Sequence, residues 1–73
     1  MTELRMNRAI RSSWICETEA KMCEAHAAKL SQALPHATPE ERPALMELSR
    51  EEAERAVALR TKAHQLRSQV LQT

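Results

Sequence analysis

Residues 6–34 read MNRAIRSSWICETEAKMCEAHAAKLSQAL. Within them Met6, Ala9, Ser13, Cys16, Ala20, Cys23, Ala27, Leu30 and Leu34 recur at alternating intervals of three and four. That interval lays one narrow stripe along one side of a helix, the seam of a coiled coil. Most members of the stripe are small. The seam therefore predicts two helices approaching at the short end of the usual ~8–10 Å interaxial range.

Composition agrees with an all-helical chain. Among 73 residues there is no glycine, tyrosine or phenylalanine, and Trp14 is the one aromatic. Alanine, glutamate, arginine, leucine, glutamine and lysine dominate, and these are the strong helix formers. β-branched residues are too sparse and scattered to build a sheet. The formal net charge is +1, which gives no global basic field. Two cysteines are too few for a disulfide-stapled secreted scaffold. Met1-Thr2-Glu3-Leu4-Arg5 lacks the apolar run of a signal peptide, and no apolar run approaches the length of a membrane span. A complete cytoplasmic protein, with no membrane contact, is the expectation.

The breaker is Leu34-Pro35-His36-Ala37-Thr38-Pro39. A residue before proline is pushed away from helical geometry, so Leu34 is the expected end of the first helix. Thr38-Pro39-Glu40-Glu41 then reads as a start signal, with Thr38 as cap and Glu41 at the capping-box position; Pro43 loosens that first turn. The reading is a single domain, 1–73, with one helix over about 3–34 capped near Thr2, a turn at about 35–39 and a second helix over about 40–71. Two long helices on so short a connection form an antiparallel hairpin. The second helix has its own seam, Leu45, Ser49, Glu52, Ala56, Leu59, Ala63, Leu66 and Val70, with Leu48 beside it. A turn centred near Ala37 pairs residues whose numbers add to about 74 and sets Cys16, Ala20 and Cys23 against the stretch 53–58.

Large apolar residues lie off both seams: Leu4, Ile10, Trp14, Ile15 and Met22 on the first helix, and Met46, Ala53, Val57 and Leu71 on the second. A lone hairpin has one inside. The surplus is expected to be covered by another chain, most simply by a second hairpin in a homodimeric four-helix bundle. The plainer alternative is that these residues widen the buried stripe. Trp14, beside Arg11 and near Arg60 in this pairing, is either an interface anchor or an edge residue packed on Ile10 or Ile15.

Charge is unevenly spread. Arg5, Arg8, Arg11, Arg60, Lys62 and Arg67 gather at the open end, and Glu40, Glu41, Glu47, Glu51, Glu52 and Glu54 crowd the turn, against Arg42 and Arg50. An antiparallel dimer would set basic ends beside acidic ones. A head-to-head dimer would gather a basic patch for an acidic partner or nucleic acid. A solvated face with local pairs such as Glu51 with Arg55 is the alternative.

The most chemical group is Cys16, Cys23 and His26. Cys23 and His26 are neighbours on one face, whereas Cys16 is two turns away, roughly 10.5 Å along the axis. That spacing forbids a disulfide within the helix and keeps the two thiols off one metal ion. The reading is two small core cysteines and no metal or other cofactor. His36 falls in the turn and His64 between Arg60 and Arg67, neither beside a nucleophile; Glu52 reads as an edge residue or an arginine partner. With no glycine there is no glycine-rich phosphate loop, and no catalytic residue is assigned.

The function expected is a non-enzymatic interaction module, an adaptor, inhibitor or co-chaperone. It would self-associate and dock a helix face, built on Ile10, Trp14, Ile15, Met22, Met46 and Val57, on a partner protein. Its expected shape resembles that of the small co-chaperones of secretion needle subunits and of the plasmid RNA-binding dimer Rop, without a diagnostic motif of either. The first alternative is a nucleic-acid-binding dimer using the six basic residues above. The second is a thiol-dependent metal-binding bundle.

Overall fold

In the computed structural model the backbone is described from Thr2 to Leu71 and the side chains from Arg8 to Val70. The expected cap at Thr2 and the side chains of Leu4, Arg5, Met6 and Leu71 lie outside the described residues. The chain forms two long helices, α1 (Thr2–Ala33) and α2 (Arg42–Leu71), packed antiparallel into a hairpin. The rod measures 56 × 14 × 12 Å. Among the described residues there is no strand.

The connection is longer than the sequence suggested. α1 stops at Ala33, and Leu34–His36 continue as one 3-10 turn instead of an extended exit. Pro35 sits at the start of that turn, where its missing N–H costs no hydrogen bond. Thr38 then organises the re-entry. Its carbonyl accepts from the N–H groups of Glu41 (3.0 Å) and Arg42 (3.1 Å), and its Oγ1 accepts from Glu41 N–H (3.3 Å). Leu45 N–H then donates to Glu41 O at 3.0 Å, carrying the same i→i−4 pattern into the helix. The regular helix thus starts at Arg42, later than position 40, with Pro43 in the first turn, where no donor is needed.

The seams are the inside. Every described member of both is buried or half-buried. The buried residues are Ser13, Cys16, Ala20, Cys23, Ala56 and Ala63, and the largest fully buried side chain is a serine. Ala20, Cys23 and Ala56 form the core cluster, with Leu59 against it. Ser13 tolerates burial because its Oγ donates to Ile10 O at 2.7 Å, inside its own helix.

The register differs slightly from the expected one. Ala20 packs with Ala56, and Ser49 Oγ donates to Ala27 O at 3.2 Å; both pairs of numbers add to 76. Close approach at alanine is what holds this seam. Ala56→Leu should therefore destabilise the hairpin by ~1–3 kcal/mol through overpacking, read as a lower urea midpoint; an unchanged or higher midpoint would refute a tight alanine seam.

Candidate protein-interaction site

The hairpin has two edges beside its seam, and they differ. One carries a ladder of polar bridges from α1 to α2: Glu17 to Arg67 (2.6 Å), Glu24 to Arg60 (2.7 Å) and Ser31 to Ser49 (3.1 Å). The α1 members are seven residues apart, so two turns separate successive rungs. The numbers of each Glu–Arg pair add to 84, eight more than in the seam. Eight residues are roughly 12 Å of helix. The offset follows from side-chain direction. Side chains lean toward the N-terminus of their own helix, and in an antiparallel pair those leans converge.

These bridges add detail to the charge pattern read from the sequence. Arg60 reaches Glu24. Arg60 and Arg67 each bridge to a carboxylate while remaining about half exposed, Arg8, Arg11 and Lys62 are exposed without a bridge, and Arg5 lies outside the described side chains. Among the described residues the ion pairs run between the helices and not along one, as Glu51 with Arg55 would.

The other edge centres on Glu52. It is half-buried at this edge, the first of the two roles the sequence allowed it, and faces Cys23 and His26; His26 Nδ1 lies 3.8 Å from its Oε2. Burial first, then the hydrogen bond and charge of Glu52, push the Cys23 thiol above its ordinary value, with Glu19 adding and Arg55 opposing. A thiol held protonated is a poor nucleophile and a poor metal ligand. Cys16 and Cys23 are both buried and free, and among the described residues no three His, Cys, Asp or Glu side chains gather as a metal site. His36 and His64 are exposed.

The remaining feature is what stands outside. Trp14 is 63% exposed, Met22 62%, Met46 61% and Val57 64%; Ile10, Ile15 and Leu48 are about half exposed. The seam leucines, such as Leu30, Leu59 and Leu66, are half-buried, whereas these off-seam side chains stand largely in water. The idea that they merely widen the buried stripe does not hold for this hairpin. Trp14, Thr18 and Met22 follow one another by single turns on the outer side of α1, with Ile15 alongside. Thr18 turns its hydroxyl to Trp14 O at 2.9 Å, which takes that donor off the surface.

No family model, no curated protein and no solved structure matches this chain. Among the described residues no helix is long and apolar enough to cross a membrane.

Two outcomes follow from these edges. Arg60's hydrogen bond holds the Glu24 carboxyl below its ordinary 4.5, against some burial and helped by the charges of Arg60 and Lys21; Glu24 correspondingly raises Arg60. A depressed carboxyl stabilises the fold above pH 4.5 and loses that contribution as pH falls through the folded value. The thermal midpoint should therefore fall more between pH 7 and pH 3 in the wild type than in Glu24→Gln, by a modest margin because both groups are about half exposed. Equal losses would remove the pair from the stability of the hairpin. Second, Cys23 should react with a thiol reagent far more slowly in the native chain than in urea, as should Cys16; rapid native labelling of both would contradict a closed seam.

Proposed function

We propose that this chain is a non-enzymatic protein-interaction module: a small helical adaptor, inhibitor or co-chaperone that pairs with a second copy of itself and presents a helix face to a partner protein. The observation that supports this reading is the amount and kind of surface left in water. A compact monomer of this mass, 8.3 kDa, exposes about 4,600 Å² by the usual scaling. This hairpin exposes 5996 Å². The excess, about 1,400 Å², is more than the ~800 Å² that each partner contributes to a standard interface.

Its chemistry points the same way. Aromatic residues and methionine are enriched where proteins meet, and here the sole tryptophan and two of the methionines stand outside. The nucleic-acid alternative retains fewer free cations than its sequence promised, since Glu24 and Glu17 occupy Arg60 and Arg67. The thiol-metal alternative would need thiolates, and burial, with Glu52 beside it, disfavours one at Cys23. The apolar surplus is the larger unexplained quantity, and a protein surface is what absorbs it.

Sedimentation should give a particle heavier than one chain. In quantitative affinity purification, Trp14→Ala and Val57→Ala should each lower partner retention by about tenfold where truncation removes an anchor. A single-copy species that retains no partner protein above a bait-free control would end this reading.

A further inference from the structure

We infer that the second copy lies antiparallel on the edge that holds Cys23, Glu52 and His26, with the twofold axis crossing α1 between Thr18 and Glu19 and crossing α2 at Val57. This rests on the self-association proposed above and adds its face, register and direction.

The face follows from the two edges. The edge bridged by Glu17–Arg67 and Glu24–Arg60 is already closed by charged groups that satisfy one another. Docking there would strip water from both pairs, a cost that their attraction does not reliably return. Ile10 and Met46 stand at the ladder's own seven-residue positions, and the unbridged edge carries an aliphatic set of its own. Met22 stands one turn before His26, and Ile15 two turns before Met22. On α2, Leu48 stands one turn before Glu52, and Leu66 lies further along the same edge. Ile15 and Met22 are 45% and 62% exposed, Leu48 is 48% exposed and Leu66 is half-buried.

The register follows from symmetry. In a twofold interface, if residue i meets j then j meets i. Antiparallel packing of α1 on its copy lets Ile15 meet Met22 when the axis stands midway between them, between Thr18 and Glu19. Antiparallel packing of α2 on its copy lets Leu48 meet Leu66 when the axis stands midway, at Val57. These two midpoints were fixed independently, yet they stand opposite each other in the seam register shown by Ala20 with Ala56 and Ala27 with Ser49, to within one residue. One axis therefore satisfies both helices. Rigid hairpins in any other register would miss both pairs.

Charge sets the direction. The same axis places Lys62 beside Glu51 of the other copy, twice over; both are exposed and unpaired in the single hairpin. Glu19 approaches its own copy near the axis, but Arg55, whose charge reaches Cys23 from this side as Glu19's does, is at hand in each chain. More broadly, Arg8, Arg11 and Lys62 come over a turn end rich in Glu40, Glu41, Glu47, Glu51 and Glu54. A head-to-head dimer would stack like on like at both ends.

The test is a charge exchange read by analytical ultracentrifugation, with circular dichroism confirming helix content. Lys62→Glu and Glu51→Lys should each weaken the dimer about tenfold or more, since each juxtaposes like charges twice, and the double variant should recover nearly wild-type affinity. A second measurement does not depend on these variants. Spin labels on His36→Cys, with Cys16 and Cys23 buried and unlabelled, should lie near the 56 Å length of the rod from each other. A dimer without recovery in the double variant, or with label separation below half that length, overturns this arrangement while leaving self-association standing. A wild-type monomer overturns both.

Discussion

Two backbones come close because nothing large stands between them. At the centre of the seam are Ala20 and Ala56, with Cys16, Cys23, Ser13 and Ala63 continuing the contact along the rod. Alanine contributes little apolar area, so this contact draws on dispersion between closely set backbones repeated over many turns. Length replaces thickness. A shorter hairpin of the same composition would have too few such contacts to offset the entropy of ordering its chain. The choice has a second effect: among the described residues the fully buried positions hold only serine, cysteine and alanine, with seam leucines such as Leu59 half-buried at the margin and the largest off-seam side chains left in water. The exposed Trp14, Met22, Met46 and Val57 and the small seam are one fact seen from two sides.

The polar groups around the seam obey the same geometry. The glutamates and arginines flanking the seam reach over one edge, where the opposed leans of antiparallel side chains bring Glu24 to Arg60 and Glu17 to Arg67. Shorter groups make shorter steps: Ser49 bonds both Ser31 Oγ and Ala27 O. At the other edge Glu52 holds a seam position on α2 although it is an acid. It remains acceptable there because the seam is only two helices thick, so a carboxylate can lean out to Cys23 and His26 without losing water altogether.

Most of this fold was legible in the sequence, and the reasons are specific. A stripe of alternating threes and fours has one geometric meaning on a helix, so the residues from Ala9 to Leu34 and from Leu45 to Val70 could be placed inside before any coordinates. Leu34-Pro35 and Thr38-Pro39 located the turn but not its form, since a proline tolerates the start of a 3-10 turn as well as an extended exit. The cross-helix partners were not legible from a mid-turn symmetry rule, because that rule tracks backbone levels while arginine reaches a full turn or more beyond its own. Applying the N-terminal lean of helical side chains to Arg60 would have found Glu24. The exposed apolar set was legible as off-seam positions; what it touches was not, because a partner's chemistry is written in the partner.

A rod of this design links folding to association. On the proposed reading, each large side chain that the seam excludes is covered only in the complex, so part of the free energy that holds the hairpin together is collected when copies or partners meet. Binding to the folded form then raises apparent stability by mass action, and stability varies with concentration. The narrow seam serves that coupling. A wider core filled with leucine would bury its own apolar groups, gain stability alone and leave a polar exterior with nothing to offer another helix. With alanine and cysteine inside, the hairpin keeps two long helices in register at small cost in apolar residues and holds its bulky ones in reserve on a rigid surface. Rigid presentation matters because side chains fixed on a helix lose less freedom on docking than those on a flexible chain, so more of their burial appears as affinity.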